Sequence, residues 1–144
     1  MPAYVIDASV AAKWFLPREK ESLVEEALVI LRGYAEGRVA LLVPDLFWTE
    51  FGNLLWKSVK LGRMPRRLAE EALSRLMETA LPTSASFALL SDALAIAMTF
   101  GRSVYDSVYI ALAIAAKRPL LTADERLVNA VGMRFPVRWL GAIE

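Results

Sequence analysis

The chain has 144 residues, with 17 Lys plus Arg against 16 Asp plus Glu and a formal net charge of +1, so any attraction to nucleic acid must come from a local patch. It contains no Cys and no His, which removes disulfides, thiolate zinc sites, cysteine nucleophiles, Ser-His-Asp triads and histidine acid–base chemistry. The hydrophobic fraction is 56%, but no apolar run reaches the ~18 residues of a membrane span, and Asp7 and Lys13 interrupt the one candidate leader; the expectation is a single domain over residues 1–144, located in the cytoplasm.

Tyr4-Val-Ile reads as a strand that stops at Asp7, and Ala8 to Leu16 as a helix ended by Pro17. Asp7 therefore sits at a strand's carboxyl end, where it or Ser9 also suits a helix cap. Glu19 to Gly37 fits an amphipathic helix with Leu23, Ala27, Ile30, Leu31 and Tyr34 on one stripe. Val39 to Val43 is a strand-length apolar run before Pro44, and Asp45 is placed to cap a helix from Leu46 to Leu61. Within it Glu50 borders the apolar stripe beside Phe47 and Phe51, with Lys57 the nearest cation along the helix.

Gly62 and Pro65 separate that helix from another, Arg66 to Ala80, whose inner stripe is expected to be Leu68, Ala72, Leu73, Leu76 and Met77. Lys57, Lys60, Arg63, Arg66 and Arg67 form a basic segment with no intervening acid, suited either to solvent or to phosphates. A short strand at Pro82 to Ser86 and a helix from Leu89 to Phe100, closed by Gly101, come next. Ser103 with Asp106, and Thr122 with Glu125, have capping-box spacing. Between them Val108 to Ala116 is apolar throughout, which implies a helix buried on nearly all sides, followed by a strand at Leu120-Leu-Thr. A short helix to Val131 and a strand near Val137 to Leu140 end the chain.

Strands alternating with helices imply right-handed crossovers onto a parallel sheet covered on both faces, with ligands at the carboxyl ends of strands. Asp7 and Asp124 lie at such ends, and Glu50 and Asp106 lie on helices able to reach them. Carboxylates that converge without a counter-charge repel one another. Mg²⁺ or Mn²⁺ relieves that repulsion, and acids with such a metal suit phosphodiester hydrolysis.

Four motifs in this order resemble those of PIN-domain proteins, and among them the VapC toxins of toxin–antitoxin pairs: Tyr4-Val-Ile-Asp7-Ala-Ser9-Val, Glu50-Phe-Gly-Asn53, Ser103-Val-Tyr-Asp106-Ser-Val-Tyr and Leu121-Thr122-Ala-Asp124-Glu-Arg-Leu. The resemblance covers nearly the whole chain. It implies an α/β/α sandwich on a central, mostly parallel sheet, and a metal-dependent endoribonuclease with Asp7, Glu50, Asp106 and Asp124 around one or two Mg²⁺ or Mn²⁺ ions. Ser9, Asn53 and Thr122 would be supporting polar groups, and Glu125 either adds a ligand or caps its helix. The expected partners are RNA, a cognate antitoxin and a second copy of the chain.

Haloacid dehalogenase-type phosphatases require Asp-x-Asp where this chain has Asp7-Ala-Ser9, and no P-loop motif occurs. The alternative of another class is a catalytically silent PIN-like module that binds RNA or protein, against which four intact acids argue. Trp14, Phe15, Phe47, Trp48 and Trp56 all fall on two early helices. Trp56 lies off the stripe of Phe47, Phe51 and Leu54, so part of this aromatic surface is expected to be exposed and to bind a partner through Trp14 and Trp56.

Overall fold

β-branched and aromatic side chains favour a pleated backbone, and the chain starts as β1 (Ala3–Ile6) until Asp7 turns it into α1 (Ala8–Phe15). In the computed structural model, which describes residues 1–143, there follow α2 (Val24–Ala35), β2 (Ala40–Pro44), α3 (Leu46–Lys60), α4 (Arg66–Glu78) and β3 (Thr83–Ser84). The second half comprises α5 (Leu90–Phe100), α6 (Val104–Ala116), β4 (Leu120–Thr122), α7 (Glu125–Val131) and β5 (Val137–Trp139). Among the described residues no single helix is long and apolar enough to cross a membrane.

Every strand pairing is parallel, in the order β3-β2-β1-β4-β5. The chain steps one way from β1 to β2 and β3, then returns to build β4 and β5 on the other side. Right-handed crossovers consequently assign α1–α4 to one face and α5–α7 to the other. The packing of α1 on α2 and α3, of α3 on α4, and of α5 on α6 agrees, giving the expected α/β/α sandwich. The strand order reverses between β1 and β4, which is where such sheets open a crevice at their carboxyl ends. The register that sets Val5 beside Leu120 and Ile6 beside Leu121 brings Asp7 level with Thr122.

The apolar run in α6 is buried from Val108 to Ala113 where it packs over β1, β2 and β4. Burial ends before the helix does, with Ile114 exposed. The cause is length: a four-residue strand spans ~13 Å, which about nine helical residues cover, and α6 has 13. Gly101, at φ 69°, ends α5 in the left-handed region that glycine adopts without strain. The chain then bends by 118° into α6, carrying Ser103 and Asp106 to its first turn.

Several local expectations need correction. The helix expected from Glu19 begins at Val24, after a short 3₁₀ turn at Arg18–Lys20 and a left-handed Leu23. Glu21 is drawn back to Lys13 at 3.0 Å instead of joining a helical face. On α4 the buried stripe is Ala69, Ala72 and Leu76, with Leu68 and Met77 exposed; the small alanines bring the helix close to its neighbours, leaving the longer side chains at the rim. Asp45 caps no helix, because its carboxylate accepts hydrogen bonds from the Ser86 amide and hydroxyl. Thr122 lies on β4, and the cap of α7 is Asp124.

The aromatics of α1 and α3 divide by face. Phe47 and Phe51 are fully buried and stack at 6.5 Å, with Phe15 edge-on to Phe51 at 5.8 Å. Trp14 and Trp48 are half-buried, and their indole N–H groups donate to the Ala27 carbonyl and the Thr83 hydroxyl. Trp56 is 57% exposed, with the Lys60 ammonium over its ring. Urea denaturation should accordingly show Phe51→Ala losing about 3–5 kcal/mol and Trp56→Ala staying within about 0.5 kcal/mol of the parent. Equal losses would contradict this division of faces.

Candidate active site

Asp7 ends β1 and begins α1, and its Oδ1 accepts from the Ser9 amide at 3.1 Å and from the Ser9 hydroxyl. The Ser9 Oγ in turn accepts from the Ala123 amide at 3.1 Å, so one side chain ties α1 to the end of β4. Thr122 is wholly buried; its Oγ1 accepts from the Asp124 amide at 3.0 Å, and its hydroxyl is near enough to Asp7 to oppose the rise of that carboxyl's pKa. Asp124 caps α7 through Oδ1, which accepts from the amides of Arg126 and Leu127. Capping and site formation are therefore not alternatives for Asp7 and Asp124.

Glu50 and Asp106 reach the same crevice from opposite faces of the sheet. On α3, Glu50 Oε1 accepts a 2.6 Å hydrogen bond from the Tyr109 hydroxyl of α6, so its partner is Tyr109 and not Lys57. Ser103 caps α6 by accepting from the Asp106 amide, but Asp106 does not return the bond as a capping box would. Its Oδ2 instead accepts from Arg102 at 3.1 Å, and Arg102 Nε is buried without a partner among the described residues.

The four carboxylates, with Ser9, Asn53, Thr49, Tyr105 and Tyr109, line one pocket of about 520 Å³ at the reversal of strand order. Asn53 is exposed in the wall. Glu125 is exposed and lies outside the lining. Burial pushes the Asp7 carboxyl up to about 6 from 3.8, against the Ser9 and Thr122 hydrogen bonds and with a further push from the Glu50 charge. Burial also raises Glu50; the Tyr109 bond opposes this and the Asp106 charge adds to it. Burial and the Glu50 hydrogen bond hold the Tyr109 hydroxyl in its protonated, donating form.

Those shifts show that burial disfavours charge on Asp7 and Glu50, with a smaller push from the neighbouring acid in each case. Each acid commits one oxygen to a defined hydrogen bond, which restrains the carboxylate and leaves its other oxygen without a side-chain or backbone donor among the described residues. Among the described residues, no three acids lie close enough to share one ion directly. That spread fits Mg²⁺ or Mn²⁺, hard ions that take one or two carboxylates and keep several waters.

Tyr109 and Arg102 were not singled out by sequence reasoning. Tyr109 had a usable signal, since a phenol inside an apolar run needs a buried acceptor. Arg102, directly after a helix-ending glycine, had none.

The raised Asp7 pKa destabilises the metal-free fold above pH 6, where Asp7 must be charged in the folded state. This penalty disappears below 3.8, where Asp7 is protonated whether folded or unfolded. In chelator at pH 7, Asp7→Asn should be more stable than the parent by about 1–3 kcal/mol. The gap should close as pH falls from about 6 toward 3.8; urea titrations at several pH values check this, and a gap that widens with acid would contradict it.

A family model described as the PIN domain matches residues 4–132. Ribonuclease VapC3 of Pyrobaculum aerophilum is 34% identical over 134 residues, covering 92% of this chain and 94% of that protein. Ribonuclease VapC1 of Mycobacterium tuberculosis is 32% identical over 113 residues, covering 76% of this chain and 81% of its own. Among solved structures, a Pyrobaculum aerophilum protein superposes with a TM-score of 0.70 at 22% identity, over 97% of this chain and 85% of that one. VapBC2 of Rickettsia felis, solved with a promoter DNA fragment, gives 0.66 at 11% identity over 95% and 98%. A toxin–antitoxin complex from Klebsiella pneumoniae gives 0.60 at 12% identity over 94% and 95%. The fold is shared across all three structures, and with the matched family model and the two sequence relatives it establishes that this chain belongs to the PIN-domain family.

Proposed function

We propose that the chain is a divalent-metal-dependent endoribonuclease, the toxin of a VapBC-type pair, folded as one domain over residues 1–144 and acting in the cytoplasm. The observation that carries the reading is the convergence of Asp7, Glu50, Asp106 and Asp124, from four separate segments, on one pocket at the carboxyl end of the sheet. The named ribonuclease relatives support the activity, and the toxin–antitoxin structures on the same fold support the partner.

In this reading the four acids hold one or two Mg²⁺ or Mn²⁺ ions, which when bound lower the pKa of an attacking water and stabilise the leaving oxygen. The residues of the chain do the rest. Ser9 and Thr122 orient Asp7, and Arg102 holds Asp106 in place until a ligand competes for it. Glu50, raised by burial, is a carboxylate able to accept a proton in the pocket, where the Tyr109 hydroxyl holds one of its oxygens. Hydrolysis by this route leaves a 5′ phosphate and a 3′ hydroxyl.

The exposed Trp56 is the anchor expected for an antitoxin segment, since Trp is enriched at the energetic centres of interfaces. Trp14 is committed to the α1–α2 contact and is unsuited to that role. The homodimer is assigned to α5. This helix buries only Ala93 within the protomer and, with the 3₁₀ turn before it, exposes Phe87, Leu90, Leu94 and Met98 around a single charge, Asp92. Light scattering should report a dimer for the parent and a monomer for Leu94→Glu with Met98→Glu; a dimer that survives both changes would place the interface elsewhere.

Total RNA incubated with the purified protein in Mg²⁺, Mn²⁺ or EDTA, followed by sequencing of the new ends, tests the activity. Cleavage should need the metal, and Asp7→Asn or Asp106→Asn should reduce it by on the order of 10²–10⁴-fold with the fold retained. Unchanged cutting by either variant would remove that residue from the site. Tyr109→Phe deletes a donor that holds the Glu50 pKa down, so the acidic limb of the pH profile should move to higher pH, with roughly a tenfold loss at neutrality. An unshifted profile would show that the hydroxyl does not act through Glu50.

A further inference from the structure

The basic segment of α3 and α4 does not act as a unit. Arg66 and Arg67 pair with Glu70 and Glu71 on the exposed face of α4, and Lys60 lies over Trp56. Lys57 and Arg63 instead line a groove of about 220 Å³ between the end of α1 and α3, together with Lys13 and Lys20. The one carboxylate in that lining, Glu21, is already paired with Lys13. Among the described residues, Lys20, Lys57 and Arg63 make no ion pair, so three cations from three segments of the chain converge without counter-charge.

The rest of the groove is built to strengthen that charge. Ala12, Leu16, Pro17, Leu54 and Leu61 supply apolar walls, which reduce solvent screening of an anion held there. Ser58 lines it too and is 4% exposed, with a hydroxyl that has no partner among the described residues. The groove also adjoins the acid-lined pocket, since Ser9 and Leu54 belong to both. On the other side of that pocket the adjoining cleft, lined by Asp45, Ser86, Leu90 and Val104, contains no cation.

Four carboxylates repel a polyanion, so a substrate that brings a phosphodiester among them needs cationic anchorage nearby. We infer that the groove of Lys20, Lys57, Arg63 and Ser58 is a phosphate-binding subsite that holds the backbone of single-stranded RNA on one side of the scissile bond. This rests on the ribonuclease reading of the adjoining pocket. It makes the site directional: phosphates flanking the cut on the groove side carry binding, and those on the other side do not. A free protein partner is the poorer occupant, because an acidic peptide would supply fewer regularly spaced charges than a polynucleotide.

The test separates binding from cutting. Binding of fluorescent polyuridine is followed by anisotropy in EDTA across a salt series, and cleavage of a random-sequence RNA pool is followed in Mn²⁺. The paired change Lys57→Ala with Arg63→Ala, both exposed positions, should flatten the slope of log affinity against log salt by roughly 1.4 units, from about 0.7 per phosphate contact. It should raise KM about tenfold while kcat stays within about twofold, the pattern of lost uniform binding. Arg66→Ala with Arg67→Ala should change neither quantity.

A parent protein whose polyuridine binding loses that slope in the paired variant, but which cuts nothing in Mn²⁺, would uphold the groove and sink the ribonuclease reading. Active enzyme whose Lys57→Ala, Arg63→Ala variant keeps the parent slope and KM would overturn the groove. The same would follow if that variant lost only its affinity for an antitoxin. Neutral methylphosphonate linkages supply a second readout: placed on one side of the cut they should raise KM for the parent, and the effect should vanish in the paired variant. Equal effects on both sides of the cut would contradict a one-sided anchor.

Discussion

The β1–β4 pairing is the constraint on which the rest of the site depends. It brings Asp7 level with Thr122, and Ser9 then bridges Asp7 to the Ala123 amide. The sheet reverses its order at this seam, so no strand crosses above it and helices from both faces can lean over the gap. Glu50 comes from α3 and Asp106 from α6, and the Tyr109–Glu50 hydrogen bond ties these helices together. Removing the β1–β4 register would separate Asp7 from Asp124 as well as unpair two strands.

Crowding carboxylates at this seam is electrostatically unfavourable, and the fold offsets it in two ways. Each acid is fixed through one oxygen, by a helix-start amide, a phenol or a guanidinium. Burial is the main reason the Asp7 and Glu50 carboxyls are raised, and the neighbouring acid charges add a smaller push that a bound cation would oppose. Apolar packing of Phe15, Phe47 and Phe51 beneath the helix that carries Glu50 keeps that side of the pocket from relaxing apart.

Much of this was legible in the sequence because it depends on local periodicity. The strand that stops at Asp7, the deep helix after Asp106 and the separation of Trp56 from Phe47 and Phe51 all follow from runs of two to a dozen residues, whereas β4 stops at Thr122 and Asp124 follows it as the cap of α7. Pairings across the sheet were not legible. Nothing near Glu50 indicates a partner on α6, and spacing alone assigned it to Lys57. Thr122 and Glu125 matched a capping pattern, although the cap is Asp124 and Thr122 is buried behind Asp7. The basic segment looked uniform for the same reason: whether an arginine faces a glutamate one turn away or an empty groove is decided by which side of α4 or of the α3–α4 turn it occupies. A pattern of types cannot convey that.

The central proposal is that a divalent cation completes the acid-lined pocket, and thermal unfolding of the parent and Asp7→Asn, each in Mn²⁺ and in EDTA at pH 7, tests it most directly. The account predicts that Mn²⁺ raises the parent's midpoint and that the rise shrinks both in Asp7→Asn and as pH is lowered below about 6. A midpoint indifferent to Mn²⁺, or one that rises equally with and without the Asp7 carboxylate, would contradict it.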